Sequence, residues 1–472
     1  MSTLIMKFGG SSVGMTMGLT QVLSIVLYEQ EHWDRVLLVV SALEGVTDAL
    51  IEASRLAQLN NRRAYRRIVA NIRMRHLALV EHLPLGANER SALQADIDRL
   101  LFDMLAQCQT LADNEDDEAQ SEAIDSIIGV GERLSARIVA GLLRQNNLRG
   151  VAIDATDLII TDNVYGHATP NLNLTRDRIA HNLLPMLDRG IIPVITGFIG
   201  STAAGKPTTL GRGGSDYTAS VLAVCTDADE VWIWTDVDGM MTTDPRQISE
   251  ARVIPSLTYD EVAELAYFGA RILHARMIGP LRDRQIPLRV RNVFKPQHSG
   301  TLVAPESKKN AAGPAALKAV TMIQGLGLLA EHSGPLSRVT AVVDEALFNI
   351  TGSHADVMIS AQSSSKSLAC FVIPTSAGPD ALHDLEGELE QRLREATAEP
   401  DWSTRPLTIV TAIGARLNEQ HQLVAHTLEA LEQIRVWALS QGPAHCSLSV
   451  VVDPKDAPAA LSQIHELILK TD

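Results

Sequence analysis

Hydrophobic positions at the start of the chain form strand-like runs separated by a helical stretch. The apolar run LIMKF ends at Gly9 and Gly10, and a second apolar run spans Val36 to Leu43 after an intervening helical pattern. Short continuous apolar runs bounded by turn residues are typical of strands that are buried on both faces. Because strands alternate with helices here, the pattern predicts a parallel sheet covered by helices.

A different pattern covers residues 49–149, where glycine is scarce and apolar residues recur with helical spacing. This region is expected to be a helical layer whose polar face is solvated, and its acidic run 114–118 to be an exposed loop. Strand signals return at GVAID, IIPVITGFIG and EVWIWTDVDG, and the last two end in glycine-rich polar turns. Ligands of open α/β sheets bind beyond the carboxyl ends of the strands, so chemistry is expected at these turns.

Residues 305–316, PESKKNAAGPAA, are polar, rich in Pro, Gly and Ala and without periodicity, which predicts a linker. Beyond it, a βαββα pattern occurs twice with a period of about 85 residues, too long for a solenoid. The pattern favours two copies of a small α+β module, over 317–398 and 399–472. Each copy lacks a closing strand, so the copies are expected to exchange strands or to pair edge to edge.

Composition narrows the class of protein. The chain has 472 residues and a net charge of −15, from 41 Lys and Arg against 56 Asp and Glu. This balance argues against a nucleic-acid partner, which requires a basic face. Apolar runs stay below the ~18–20 residues of a membrane helix, and the N-terminus lacks a secretory pattern. The cysteines, Cys108, Cys225, Cys370 and Cys446, lie far apart and have no metal-ligand spacing. A reducing, cytoplasmic location is therefore expected.

The first chemical candidate is Lys7 with Gly9 and Gly10. Two glycines after a strand let backbone amides approach an anion, and the lysine supplies a positive charge. The order differs from that of the P-loop, because the lysine precedes the glycines. A tight turn with a surface lysine is the alternative explanation.

The second candidate is the glycine-flanked Arg212, followed by Ser215 and Asp216 at the start of a helix of small residues. An arginine can bind a carboxylate through two parallel hydrogen bonds, and an aspartate can bind an ammonium group. The pair therefore suits a zwitterionic amino acid. A capped helix after a flexible loop would give the same pattern.

The third candidate is the segment from Trp234 to Arg246, which holds three aspartates in a polar turn after a strand. Mg²⁺ and phosphates prefer hard oxygen ligands and cationic donors. Ser41, Thr47 and Glu132 carry little signal by themselves, and Glu132 could equally be a surface residue of a helix.

Taken together, these motifs resemble the aspartokinases of the amino acid kinase superfamily. KFGGSSV, VVSA with Thr47, GERLSA, TLGRGGSDYTA, WTDVDG with TTDPR, LTYDEVAELAYFGARILHARMI and RVRNVFKPQHSGTLV all occur in the family's order. The resemblance implies a three-layer α/β sandwich with a mostly parallel sheet over 1–304, followed by two ferredoxin-like α+β ACT modules. It also implies transfer of the ATP γ-phosphoryl group, with Mg²⁺, to the β-carboxylate of L-aspartate.

The resemblance also assigns roles to residues. Lys7 and Asp216 match catalytic positions, and Gly9 and Gly10 match the phosphate cradle. The positions that match substrate contacts are Ser41, Thr47, Glu132, Arg212 and Ser215. The positions that match nucleotide contacts, besides Lys7 and the two glycines, are Thr235, Asp236, Met241, Arg246 and Arg271. No separate protein metal site is implied, because Mg²⁺ would be held mainly by the ATP phosphates.

Several positions depart from the family pattern. Met241 stands in place of a usual tyrosine, Arg271 in place of a lysine, and Ala275 in place of the proline of an HPR motif, so an altered nucleotide preference is expected. In the ACT modules, Lys366 and the segment 443–445 replace residues more common near the effector. An amino-acid effector at these modules therefore stands beside the alternative that they serve only for dimerisation.

Three functions stay open at this point: an active aspartokinase, a binding or regulatory relative with weak catalysis, and a kinase for another acidic amino acid. No homoserine dehydrogenase region is recognised, so a monofunctional chain is expected. A homodimer or higher homo-oligomer assembled through the ACT modules is expected as well.

Overall fold

The structure is a computed structural model. It describes residues 1–111, 116–269, 273–305, 316–330, 336–351, 356–363, 366–372, 384–385, 387–389, 391–392 and 402–471. The chain divides into two compact units. The first comprises Met1–Met240, Pro255–Tyr259 and Ile272–Pro305, and the second comprises Met241–Ile254, Asp260–Arg271 and Glu306–Asp472.

An eight-stranded sheet with the strand order β3-β5-β2-β1-β8-β10-β11-β9 forms the centre of the first unit, beside a small sheet of β4, β6 and β7. All neighbours in the large sheet are parallel except β10 and β11. The strands are β1 (Thr3–Phe8), β2 (Arg35–Val40), β3 (Gly150–Ile153), β4 (Ile160–Thr161), β5 (Ile192–Thr196), β6 (Ile199–Thr202), β7 (Pro207–Thr209), β8 (Glu230–Thr235), β9 (Ser256–Leu257), β10 (Leu288–Asn292) and β11 (Thr301–Val303).

Helices cover this sheet. Alternate β1 residues, including Leu4 and Phe8, belong to a core shared with α2–α7, whereas α10 packs on β1, β2 and β8 outside that core. The helical layer predicted for 49–149 is α3–α7. The helices before residue 305 are α1 (Gly10–Val13), α2 (Thr16–Glu29), α3 (Val46–Gln58), α4 (Arg62–His82), α5 (Ala87–Leu111), α6 (Asp117–Ile128), α7 (Val130–Gln145), α8 (Leu172–Asn182), α9 (Leu184–Leu187), α10 (Gly214–Thr226), α11 (Tyr259–Tyr267) and α12 (Ala275–Arg284).

The central strand β1 sets the position of the site. It pairs with β2 on one side, where Lys7 lies opposite Val39, and with β8 on the other, where Lys7 lies opposite Ile233. Along the chain, β2 is added to one side of β1 and the later strand β8 to the other side, so the direction of strand addition reverses at β1. Ligands of open α/β sheets bind at such a reversal, beyond the carboxyl ends of the strands.

The second unit contains a six-stranded sheet with the order β13-β14-β12-β15-β17-β16. Its strands are β12 (Leu317–Ala330), β13 (Asp356–Gln362), β14 (Ser367–Val372), β15 (Trp402–Gly414), β16 (Val436–Gln441) and β17 (Ser447–Val452), and its helices after residue 316 include α13 (Leu336–Thr351), α14 (His421–Glu429) and α15 (Ala457–Thr471). The first strands of the two repeats pair antiparallel along their length, which confirms the expected edge-to-edge pairing of the α+β modules.

Two segments of the predicted catalytic region 1–304 belong to this second unit, because their apolar residues pack on its sheet and helices. Ile248 packs against the cluster that contains Val320 and Leu461, and Phe268 belongs to the cluster of Leu407 and Ile409. Within the predicted linker, residues 306–315 lie outside the described part of the chain, as do residues 112–115, which include the start of the acidic run. The rest of that run is not the expected loop, because Asp116 caps α6 and residues 117 and 118 form its first turn. Over the described residues, each helix is too short or too polar to cross a bilayer.

Candidate active site

Lys7 and Asp216 form an ion pair at the carboxyl edge of the large sheet. Lys7 lies near the end of β1, Asp216 lies in the first turn of α10, and Lys7 Nζ is 2.6 Å from Asp216 Oδ1. Only 12% of each side chain is exposed. A helix N-terminus favours a carboxylate, and each charge offsets the cost of burying the other. The pair therefore fixes an ammonium group where ligands of such sheets bind.

The glycine turn after β1 lies close to the loop after β2. A Cβ at Gly10 would lie 2.8 Å from the carbonyl oxygen of Ala42 and 2.9 Å from the amide nitrogen of Glu44. At Gly9, the nearest atom to such a Cβ would be Lys7 Nζ at 3.8 Å. Gly10 is thus required for the approach of the two loops, whereas the surroundings of Gly9 are open next to the lysine ammonium.

Glu132 is a buried carboxylate beside the same loop. It lies in the first turn of α7 with 2% of its surface exposed, and its Oε1 accepts a hydrogen bond from the amide of Ala42 at 3.1 Å. Its Oε2 has no hydrogen-bond partner among the described residues. Burial raises the pKa of Glu132 to about 7, although the Ala42 amide and the charges of Arg133 and Lys7 lower it. The interpretation as a surface residue is therefore wrong, and the free oxygen suits a cationic group.

The loop that presents Arg212 needs glycine on both sides. Gly211 and Gly213 have φ of +75° and +70°, in the left-handed region, and a Cβ on Gly213 would collide with His274. Arg212 is exposed, while Ser215 is 9% exposed and lies at the start of α10. The loop therefore holds a guanidinium group in front of a helix N-terminus, which is an arrangement suited to a carboxylate.

The turn after β8 is tied to β10. The hydroxyl of Thr235 donates to Asp236 Oδ1 at 3.1 Å, and Asp236 is exposed. Asp238 accepts hydrogen bonds from Lys295, at 2.7 Å, and from the side chain of Asn292. These two donors hold the pKa of Asp238 below its usual value. Asp238 thus orders the turn, and Asp236 stays open to solvent.

The predicted site residues fall into four groups. Those at the carboxyl edge of β1, β2 and β8 or at the first turns of α7 and α10 are Lys7, Gly9, Gly10, Ser41, Glu132, Arg212, Ser215, Asp216, Thr235 and Asp236. Thr47 lies in the first turn of α3. Met241 and Arg246 belong to the second unit, where Arg246 pairs with Asp244 at 2.8 Å, and their nucleotide roles stay predictions. Arg271 lies outside the described residues.

Two residues around the glycine loop were not assigned from the sequence. Asp125, 2% exposed, accepts from the amide and hydroxyl of Thr209 at 2.7 and 2.9 Å. Arg276 donates to the carbonyl oxygen of Leu210 at 2.7 Å. Asp125 is 84 positions from Thr209 and Arg276 is 66 positions from Leu210. The sequence signals were a charged residue in the mostly apolar stretch IDSII for Asp125, and the last position of the HPR-like motif His274-Ala275-Arg276 for Arg276.

The site combines the paired ammonium group of Lys7, the exposed guanidinium group of Arg212, the buried carboxylate of Glu132 and the N-termini of α7 and α10. Lys7 and Arg212 can each bind an anion, and Glu132 can bind an ammonium group. Among the described residues, no three His, Cys, Asp or Glu side chains cluster as a metal site would require. Asp216 and Asp236 offer hard oxygens at the sheet edge, which fits a Mg²⁺ ion held mainly by phosphate oxygens rather than by a protein cage.

Comparison with known proteins identifies the family of the chain. The sequence model of the amino acid kinase family matches residues 2–292. The chain is 29% identical over 475 residues to lysine-sensitive aspartokinase 3 of Escherichia coli, covering 98% of each. It is also 29% identical over 470 residues to the chloroplastic bifunctional aspartokinase/homoserine dehydrogenase 2 of Zea mays, covering 97% of this chain. The chain spans about half the length of the bifunctional plant relatives it matches, 50% in the case of maize.

The chain is also similar to solved structures of an aspartokinase. The chain is 27% identical to E. coli aspartokinase III in complex with aspartate and ADP, with a TM-score of 0.77 and coverage of 99% and 100% of the two chains. The complex of the same enzyme with lysine and aspartate has 27% identity, a TM-score of 0.79 and coverage of 98% and 99%. These matches confirm the predicted α/β sandwich followed by ACT-like modules. Because the family model covers more than half of its residues, the chain belongs to the amino acid kinase family.

Proposed function

We propose that the protein is an ATP-dependent aspartate kinase, which phosphorylates the β-carboxylate of L-aspartate to give 4-phospho-L-aspartate. This would be the first step of lysine, threonine, methionine and isoleucine biosynthesis. The observation that carries the proposal is the Lys7–Asp216 ion pair at 2.6 Å, next to the open Gly9 turn and the buried Glu132. The relatives named as aspartokinases support it.

The amino acid would bind through its two charged α-groups. The free Oε2 of Glu132 would receive the ammonium group, and the exposed guanidinium of Arg212 would bind the α-carboxylate. Ser41 follows the last residue of β2 and Ser215 lies at the start of α10, and the hydroxyl groups of both are predicted substrate contacts, as is that of Thr47. With both α-groups held, the side-chain carboxylate is the group left to react.

The nucleotide would bind with its phosphates at the glycine turn. The backbone amide of Gly10 and the ammonium group of Lys7 suit the phosphate oxygens, while the amide of Gly9 donates to the carbonyl oxygen of Trp234 at 3.4 Å and holds the turn against β8. Thr235 and Asp236 lie at the end of that neighbouring strand. When bound, Mg²⁺ would neutralise phosphate charge. Further predicted nucleotide contacts are Met241, Arg246 and Arg271.

Little covalent chemistry is required of the protein. A β-carboxylate oxygen attacks the γ-phosphorus, the bond to the β-phosphate oxygen breaks, and ADP leaves with that electron pair. The nucleophile is already an anion, so no general base is needed. Lys7 would hold the transferred group and neutralise charge that moves during transfer, while Asp216 fixes the position of the lysine.

The test is ADP release, coupled to a spectrophotometric assay, with Mg-ATP and a panel of L-aspartate, D-aspartate, L-glutamate and L-asparagine. We expect turnover with L-aspartate and at least tenfold lower kcat/KM with L-glutamate, since one methylene is worth about 1–3 kcal/mol in a fitted pocket. Preference for glutamate would favour a kinase for another acidic amino acid. Binding of aspartate in calorimetry without turnover would favour a regulatory relative.

The ACT-like modules suit an amino-acid effector and self-association. The related E. coli enzyme is described in complex with lysine. In the first module, the amide of Lys366 donates to the hydroxyl of Ser363 at 3.0 Å, whereas residues 332–335, 364 and 365 lie outside the described part. The assay repeated with lysine, threonine and methionine tests the effector, and light scattering tests the proposed homodimer.

A further inference from the structure

The position of the Arg212 side chain is set by the backbone of the loop that carries it. It lies between two glycines with left-handed φ and is exposed. Among the described residues, its guanidinium group makes no hydrogen bond or ion pair. Glycine-flanked backbone is costly to order, so an unsupported loop would sample many positions. A group that binds substrate from such a loop must be held by contacts to the neighbouring peptides.

Arg276 supplies such contacts from the start of α12. Its Nη1 donates to the carbonyl oxygen of Leu210 at 2.7 Å, and its Nη2 donates to the carbonyl oxygen of Ala168 at 3.1 Å. Nη1 also lies 3.2 Å from Nε2 of His167, and the guanidinium carbon lies 4.8 Å from the ring centroid of Tyr217. One planar cation thus joins the peptide before the glycine loop to a second loop and to α10.

A buried anion holds the preceding residue. The carboxylate of Asp125 accepts from the amide and hydroxyl of Thr209 and from the amide of Gly166 at 2.9 Å. Asp125 therefore holds Thr209 while Arg276 holds Leu210, directly before Gly211. The carboxylate of Asp125 and the guanidinium group of Arg276 thus fix two consecutive residues, which restricts the N-terminal end of the glycine loop.

Two imidazole rings line the glycine loop. A Cβ on Gly211 would lie 2.5 Å from Nδ1 of His167, and one on Gly213 would meet His274. Burial lowers the pKa of both histidines, with a further contribution from the charge of Arg276. A neutral His167 can accept a hydrogen bond from Arg276 through Nε2, which agrees with the 3.2 Å separation of the two nitrogens.

We infer that Arg276 is a positioning residue for substrate binding: by fixing the carbonyl of Leu210, it places Arg212 and so sets the affinity for the acidic amino acid without touching it. The inference rests on the proposed function for the identity of that ligand. Lysine could not replace Arg276, because an ammonium group lacks the planar fork that reaches two carbonyls and stacks on a ring.

The test compares Arg276→Lys with Arg282→Lys, a matched control on the exposed face of the same helix. We expect Arg276→Lys to raise KM for L-aspartate about tenfold with kcat within twofold of wild type, and the control to change neither. Hydrogen exchange of the free protein should become faster in a peptide covering 208–214 and stay unchanged in α7. An unchanged KM, or a loss confined to kcat, would overturn the inference.

A second variant covers the case in which Arg276→Lys does not fold. Tyr217→Leu removes the ring under the guanidinium and should raise KM for L-aspartate two- to threefold, with faster exchange at 208–214. If wild type has no turnover with aspartate, the proposed function fails, and exchange alone decides the inference. Unchanged exchange in both folded variants would then overturn it.

Discussion

Replacing the buried carboxylate of Glu132 by an amide tests the electrostatics of the site. Burial raises the pKa of this group from 4.5 to about 7. Between these values the folded protein holds a proton that the unfolded chain does not, so the free energy of unfolding falls as pH rises through this window. A shift of this size corresponds to about 3 kcal/mol at pH values above 7. Glu132→Gln removes this cost in the ligand-free protein.

The assay is the thermal midpoint of wild type and Glu132→Gln between pH 4.5 and 8 without ligand. The midpoints should coincide near pH 4.5, and the variant should melt roughly 5 °C higher above pH 7. Glu52→Gln, on the exposed surface of α3, should show no such pH-dependent difference. Aspartate should raise the midpoint of wild type only, since the variant lacks the charge for the ammonium group. A variant that is less stable than wild type at pH 8 would refute the reasoning.

Two further predictions use matched pairs. Gly10→Ala should lower the thermal midpoint and the turnover, because its Cβ would lie 2.8 Å from the carbonyl oxygen of Ala42. Gly9→Ala should melt like wild type. Equal midpoints for the two variants would contradict the close approach of the two loops at Gly10. Burial lowers the pKa of His76 to about 4, so stability falls as pH drops below 6.5. His76→Gln should lose this pH dependence in melting experiments, and His82→Gln, an exposed histidine with the same bond to the carbonyl four residues earlier, should keep it.

The strands and the glycine turns were predictable because their signals are local. A continuous apolar run such as that of β1 becomes buried on both faces, with Leu4, Ile5 and Met6 at 0% exposure. A lysine at the end of this run must lie at the carboxyl edge of the sheet. Association of the two modules through their open edges was also accessible, because each lacks a strand, but the sequence left strand exchange open and did not specify β12 and β15 as the pairing strands.

Long-range contacts were not predictable. Glu132 gave no sign of burial in a helical pattern with charged neighbours, and its burial depends on packing against the loop after β2. The contact of Asp125 with Thr209 joins residues 84 positions apart. Likewise, nothing local shows that 241–254 and 260–269 pack on the six-stranded sheet rather than on the sheet that precedes them in the chain.

The central claim is that the ammonium group of Lys7, held by Asp216, neutralises charge during phosphoryl transfer. Its most direct test is kcat for ADP release with L-aspartate in Lys7→Met, after the thermal midpoint has shown that the variant is folded. Lys206→Met is the control, since Lys206 is 43% exposed and pairs with Glu118 and Glu122. We predict a loss of about a hundredfold or more for Lys7→Met and none for the control. A folded Lys7→Met protein with kcat within twofold of wild type would contradict the account.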